Sequence, residues 1–145
     1  MSFETFEKDG LIYRKITEDD IPKILAFTDI FLRRDYLVRK PELIVKIKIG
    51  EMIGVFDKKK LIAWGSMGKN KRLWNLLVHP KYRGKKIGEN IVMKLKPDYI
   101  RSKMDQSTGD PTKFYEKIGY KIIQEKIGRK KNINLMIKED LLEKN

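Results

Sequence analysis

From Leu76 to Gly88 the chain reads Leu-Leu-Val-His-Pro-Lys-Tyr-Arg-Gly-Lys-Lys-Ile-Gly: an apolar run, a short basic stretch with glycine, then a helix start. The first N–H groups of a helix have no internal partner and sit at the positive end of its dipole. Arg83, Gly84, Lys85, Lys86, Ile87 and Gly88 would present such donors, with cationic side chains alongside and glycines where a ligand must come close. That is the chemistry of a pyrophosphate cradle. The same pattern also suits sulfate, a nucleotide, or an exposed basic turn with no ligand. His79, the single histidine, titrates near neutrality and is one candidate base. Its place beside Pro80 at a strand end fits a surface histidine as well.

The charge around this segment is concentrated. Residues 69–96 carry nine Lys and Arg (Lys69, Lys71, Arg72, Lys81, Arg83, Lys85, Lys86, Lys94 and Lys96) against Glu89 alone, in a 145-residue chain of net charge +13. Such a patch attracts phosphate, whether of a nucleotide cofactor or of nucleic acid; the excess of Lys over Arg also fits a compositional bias. The absence of cysteine excludes disulfides, Cys-based zinc sites and a thiolate nucleophile, and a single histidine excludes a His-rich metal centre. No apolar run approaches the ~20 residues of a membrane helix, and the first residues are polar and acidic where a signal peptide would be basic and apolar. The expectation is a soluble, cytoplasmic protein in which residues 1–145 form one domain, with no metal and no membrane partner.

These residues must be positioned by regular elements. Leu11–Thr17 alternates as a strand; Thr17 with Glu18, Asp19 and Asp20 opens a helix whose apolar face is Ile21, Ile24, Leu25, Phe27, Thr28 and Phe31. A second helix starts near Pro41 and stops at Gly50. Met52–Phe56 and Leu61–Met67 predict a hairpin across Asp57–Lys60, and Arg72–Val78 is apolar on nearly both faces, as a central strand would be. Lys85–Lys96 is a helix stopped by Pro97, followed by a strand at Tyr99–Met104, a helix at Asp110–Ile118, and a final strand pair at Tyr120–Ile127 and Ile133–Ile137. The order β-α-α-β-β-β-α-β-α-β-β packs most economically as α/β (α+β): one mixed, mainly antiparallel sheet flanked by helices.

The stretch Val78-x-Pro80-x-x-Arg83-Gly84-Lys85-x-Ile87-Gly88 resembles the cofactor motif of the GNAT (GCN5-related) N-acetyltransferases, Arg/Gln-x-x-Gly-x-Gly/Ala after a Val-x-Pro turn. Phe114-Tyr115-Glu116-Lys117-Ile118-Gly119-Tyr120 is similar to that family's Phe-Tyr-Glu-Lys-Leu-Gly-Phe signature, in the expected order. The resemblance covers about residues 11–137 and implies the GNAT fold, with central strands splayed for acetyl-CoA. The backbone at Leu76, Leu77 and Val78 would pair with the pantetheine arm, the loop from Arg83 to Gly88 would hold the pyrophosphate, and Thr108, in the Thr108-Gly109-Asp110 turn, would lie near the arm. Lys86 departs from the motif by replacing its middle glycine. With helical dihedrals it is tolerated; with positive φ it strains the loop by about 1–2 kcal/mol.

The family implies acetyl transfer to an amine. Tyr115 matches the tyrosine that protonates the departing thiolate, and a phenol of pKa ~10 is protonated at neutral pH; the backbone N–H of Val78 would hold the oxyanion. Asn75 stands where many relatives have a carboxylate; it cannot accept a proton but can orient a water or an amine. Glu51, Asp105 and Asp110 are further carboxylates without support as bases. Trp64, Trp74 and Tyr36 suit either an acceptor groove or the core. The leading reading is therefore acetyl-CoA-dependent N-acetyl transfer to an amine of a small molecule, peptide or protein. Its rivals are a GNAT-like protein acting on nucleic acid or tRNA, suggested by the charge, and a non-catalytic CoA-binding module, suggested by Lys86 and Asn75. Monomer and homodimer both fit, with Ile133–Ile137 as an edge strand able to pair.

Overall fold

The structure is a computed structural model that describes residues 4–31, 40–103, 111–127 and 132–143. Its strands are β1 (Phe6–Lys8), β2 (Leu11–Lys15), β3 (Met52–Asp57), β4 (Lys60–Met67), β5 (Arg72–Val78), β6 (Tyr99–Lys103), β7 (Tyr120–Ile127) and β8 (Asn132–Lys138). Its helices are α1 (Ile21–Phe31), α2 (Lys40–Ile49), α3 (Ile87–Leu95), α4 (Thr112–Lys117) and α5 (Glu139–Glu143). The eight strands form one mixed sheet in the order β1-β2-β3-β4-β5-β6-β8-β7, as the α/β reading expected. Two elements go beyond that reading: β1, which makes a hairpin with β2, and the short α5. One expectation is corrected. Ile133–Ile137 is no edge, because β8 pairs with β6 on one side and β7 on the other.

The chain packs as two compact units, and β5 passes from one to the other. The first comprises Met1–Met67 and Asn75–Lys96. Its β3 and β4 are buried almost end to end, so both read as continuous apolar runs rather than alternating ones. On one face of β4, Trp64 joins Ile21, Ile24 and Phe27 of α1 and Leu43 of α2 in a buried cluster. On the other face lies α3, whose Ile91 and Leu95 come so close to Gly65 that a Cβ there would stand 2.6 Å from Ile91 Cγ2. The chain enters α1 through a one-turn 3-10 segment, Glu18–Asp20. Asp20, buried, accepts from the Thr17 N–H (2.8 Å) and from both terminal nitrogens of Arg14 (2.8 and 2.9 Å). The Arg14 hydrogen bonds hold its carboxyl down at about 2, well below the ordinary carboxylate value.

The second unit comprises Gly68–Trp74 and Pro97–Asn145. Here the start of β5 runs parallel to β6, pairing Arg72 with Tyr99 and Leu73 with Ile100. Ile100, Met136, Ile137 and Tyr120 form the buried side of the unit. The Tyr120 hydroxyl donates to the Pro97 carbonyl (2.5 Å), and burial pushes its pKa up to about 12.

Two stability measurements follow from this packing. Gly65→Ala should lower unfolding free energy by ~1–3 kcal/mol in urea titration, because β4 or α3 must give way to the new methyl. Asp20 is more acidic folded than unfolded, so its contribution is complete above about pH 4 and is lost as pH falls toward 2. Asp20→Asn should therefore remove on the order of 2 kcal/mol at neutral pH and flatten the acid limb of the stability–pH curve.

Candidate functional site

In the first unit, β5 contributes Asn75, Leu76, Leu77 and Val78. Asn75 is buried, whereas Leu76, Leu77 and Val78 are only half-buried, an unusual state for an apolar run on an interior strand. The expectation of a central strand holds, since β5 lies between β4 and β6 in the sheet order, although its C-terminal end is only partly covered. Leu77 packs against the Trp64 cluster. The His79 N–H donates to the Ile62 carbonyl (2.9 Å), extending the contact with β4 by one residue, and Pro80 then opens a 3-10 turn over Pro80–Tyr82.

His79 is occupied structurally. Its Nδ1 accepts the Lys81 N–H at 3.1 Å, which places the remaining proton on Nε2, and its ring meets Tyr82 edge-on and lies near Phe27. Burial, followed by the charges of Lys60, Lys81 and Arg83, lowers its pKa, so it is neutral at pH 7. With Nδ1 engaged and Nε2 protonated, His79 has no free lone pair to serve as a base.

Arg83, Gly84, Lys85 and Lys86 are all exposed, and Ile87 is buried, anchoring the start of α3. Two residues of this loop have left-handed backbone: Gly84 at φ +79° and Lys86 at φ +63°. For Lys86 the strained alternative holds. A helix N-cap normally has extended backbone and a side chain that accepts from the first turn; Lys86 has neither property, so the first-turn N–H groups of α3 have no side-chain cap. A left-handed residue next to a right-handed one turns successive N–H groups to the same side, as in anion nests, and left-handed Lys86 immediately precedes helical Ile87. A Cβ on Gly84 would meet nothing within 4 Å, so its glycine is required by dihedral angle rather than by crowding. An exposed loop with left-handed backbone, an uncapped helix start and adjoining cations fits a diphosphate.

Sequence reasoning missed one contact. The Tyr82 hydroxyl donates to Asp57 Oδ2 at 2.6 Å, and Lys85 Nζ lies 5.3 Å from the Tyr82 ring centre. The Asp57 hydrogen bond raises the phenol pKa, keeping Tyr82 a donor at neutral pH. No sequence signal joins positions 25 apart in this way. Buried polar atoms also gather in this unit: Trp64 Nε1, Ser66 Oγ and Asn75 Nδ2 have no hydrogen-bond partner among the described residues. Trp64 is a core residue, whereas Trp74 is half-buried. Glu51 lies 3.9 Å from Lys46 Nζ in an ion pair.

In the second unit, Tyr115 is buried on α4, its ring edge-on to Phe114 at 5.2 Å. The start of α4 is fixed by Thr112, whose Oγ1 lies 2.9 Å from Ser102 Oγ on β6 and accepts from Asn134 Nδ2 on β8 at 3.0 Å. Gly119, at φ +106°, ends the helix. Thr108, Tyr36, Asp105, Gly109 and Asp110 lie outside the described residues. Among the described residues, no cluster of His, Cys, Asp and Glu could hold a metal ion, and no helix is long and apolar enough to cross a membrane.

An inner strand of the mixed sheet thus runs through a short turn into the left-handed, uncapped start of α3. The sequence model of the Acetyltransferase (GNAT) domain matches residues 44–122, more than half of the chain. The chain belongs to the GNAT acetyltransferase family, whose cosubstrate is acetyl-CoA. Among curated proteins no sequence matches it. Solved structures share the fold. Arabidopsis thaliana Naa50, in complex with a bisubstrate analogue, superposes with TM-score 0.68 at 14% identity, over 88% of this chain and 97% of that one. The PaiA N-acetyltransferase of Thermoplasma acidophilum, in complex with coenzyme A, gives 0.64 at 19% identity, over 88% and 98%. The ribosomal-protein-S18-alanine N-acetyltransferase of Escherichia coli gives 0.65 at 12% identity, over 87% and 91%.

The two left-handed residues predict opposite effects on thermal stability. Lys86→Gly relieves a side chain at positive φ and should add ~1 kcal/mol, a rise of a few degrees in Tm. Gly84→Ala imposes the same strain with no steric gain and should cost a similar amount. Melting curves of both variants beside the parent check the pair.

Proposed function

We propose that this chain is an acetyl-CoA-dependent N-acetyltransferase that acetylates a primary amine of a small molecule, peptide or protein. One observation carries the assignment: left-handed Gly84 and Lys86 fall within the cofactor motif, at the uncapped start of α3. In this reading the N–H groups from Arg83 to Gly88 bind the diphosphate, with Arg83, Lys85 and Lys86 supplying positive charge. The half-buried backbone at Leu76, Leu77 and Val78 receives the pantetheine arm as an added strand would. Acetyl-CoA supplies the acetyl group as a thioester. The Val78 N–H donates to the oxygen on which negative charge develops. Tyr115, whose phenol can donate a proton, is assigned to give it to the departing thiolate. Asn75 orients the incoming amine or a water and takes no proton, so the amine reacts neutral and loses its proton to solvent. Thr108 is assigned to the pantetheine side by its place in the motif order.

Calorimetry with acetyl-CoA and an amine and peptide panel tests the assignment. The parent should bind acetyl-CoA and turn over at least one amine. Tyr115→Phe should keep that affinity within about threefold while kcat falls by roughly 10²-fold. No heat and no rise in Tm with millimolar CoA and acetyl-CoA would overturn the enzymatic reading. Binding without turnover would leave a CoA-binding module, and unchanged turnover in Tyr115→Phe would remove that residue from the mechanism.

A further inference from the structure

We infer that Tyr82 and Asp57 form a tether that sets the position of the cofactor loop, making Tyr82 a positioning residue for the CoA diphosphate. This inference rests on the assignment of Arg83–Gly88 to that diphosphate.

The loop needs such a device. Its residues Arg83 to Lys86 are exposed and gain little from burial, while Gly84 and Lys86 hold left-handed dihedrals, one of them without glycine's freedom. Something outside the loop must favour these dihedrals over extended alternatives. Local bonds shape the turn before it: the Tyr82 N–H donates to the His79 carbonyl (2.8 Å) and the Arg83 N–H to the Pro80 carbonyl (3.3 Å). These bonds fix the turn internally but tie it to no other element. Other contacts reach outward, among them the approach of the His79 ring to Phe27 of α1. The His79 N–H to Ile62 O bond secures the turn at β4, and the short Tyr82–Asp57 bond secures its other side to the end of β3.

Beside the loop the surface is open: a cleft of about 310 Å³ is lined by Leu11, Tyr13, Asp57, Tyr82, Lys85 and Ile87, with the β1–β2 turn at its rim. A loop embedded in close-packed core would be held by its own van der Waals contacts. One that borders an open cleft relies more on directional bonds. The phenol–carboxylate bond is charge-assisted and short, so it is the strongest outward tie available to the turn. Lys85 over the Tyr82 ring then transmits that position to the next residue of the cradle.

The test is a double-mutant cycle in the full chain, read by CoA affinity, by KM against kcat for acetyl-CoA, and by amide exchange across residues 83–88 without ligand. Tyr82→Phe keeps the ring, its edge contact with His79 and its face toward Lys85, and removes only the hydroxyl. It should raise Kd for CoA and KM for acetyl-CoA roughly 10-fold, hold kcat within about twofold, and speed amide exchange locally. Asp57→Ala should give the same change, and the Tyr82→Phe/Asp57→Ala pair should be no worse than either alone. Asp57→Asn, which keeps an acceptor oxygen, should restore most of the affinity. Parent-like Kd in Tyr82→Phe, fully additive effects, or a fall in kcat at constant KM would each overturn the tether. A parent that binds no CoA would sink the functional assignment instead, and the ligand-free exchange measurement would still decide whether the bond holds the loop.

Discussion

The close approach of α3 to β4 sets the geometry of everything that follows in the first unit. Gly65 has no Cβ, so Ile91 and Leu95 descend onto the strand backbone, with the Asn75 carbonyl 3.3 Å from where a methyl would lie. Ile87, Val92 and Leu95 are buried along the same helix. Once that face is seated, the rotation and height of α3 are fixed, and so is the direction in which its first N–H groups point. A helix start can cradle an anion only if it cannot tilt away, and side-chain burial of this kind supplies the resistance. The loop chemistry is thus subordinate to a packing decision made about a turn further along the helix.

At the loop itself, backbone conformation and charge both cost the folded protein stability. Lys86 in left-handed backbone costs about 1 kcal/mol or more that glycine would not. Its ammonium adds to those of Lys85 and Arg83, and three neighbouring exposed cations repel one another until an anion arrives. Both terms are costs that the free loop carries, and an anion at the loop would relieve only the second. The backbone cost is borne by the folded protein with or without a ligand. The chain tolerates it because β3, β4 and their helices provide a core that does not depend on the loop.

Much of this frame was legible in the sequence. Apolar patterning located the helices and strands from α1 to β8, since burial imposes its period on each element separately. The loop and the start of α3 were legible too, because a helix start, two glycines and a run of cations are local features. What escaped was set by distant partners. β1 is three residues long, too short to show a period, and exists because Phe6 stacks on Tyr13 across the hairpin. β8 read as an edge because a strand's own residues do not say how many neighbours it has. The occupation of His79 Nδ1 by the Lys81 N–H, and of Tyr82 by Asp57, are side-chain choices that no spacing rule encodes. Lys86 gave a visible departure from the motif, but only the backbone decided which consequence it carried.

Asn75 shows how the fold narrows the chemistry open to the site. The position is buried, on the same strand parity as Leu73 and Leu77, the latter of which packs against the Trp64 cluster. A carboxylate there would have to be desolvated against apolar neighbours, and burial would push its pKa upward, toward the neutral acid. The amide avoids that cost and keeps a constant protonation state. It has its own penalty, since an unpartnered buried N–H₂ forfeits about 1–3 kcal/mol unless a water or a substrate group accepts from it, and Ser66 Oγ and Trp64 Nε1 share that condition. A strand selected only to fill a core would carry aliphatic residues at these places and lose nothing. Retaining neutral polar groups in the interior gives hydrogen bonding without proton exchange. Asn75 on β5, like Ser66 and Trp64 on β4, can orient a hydrogen-bonding group but cannot take up its proton.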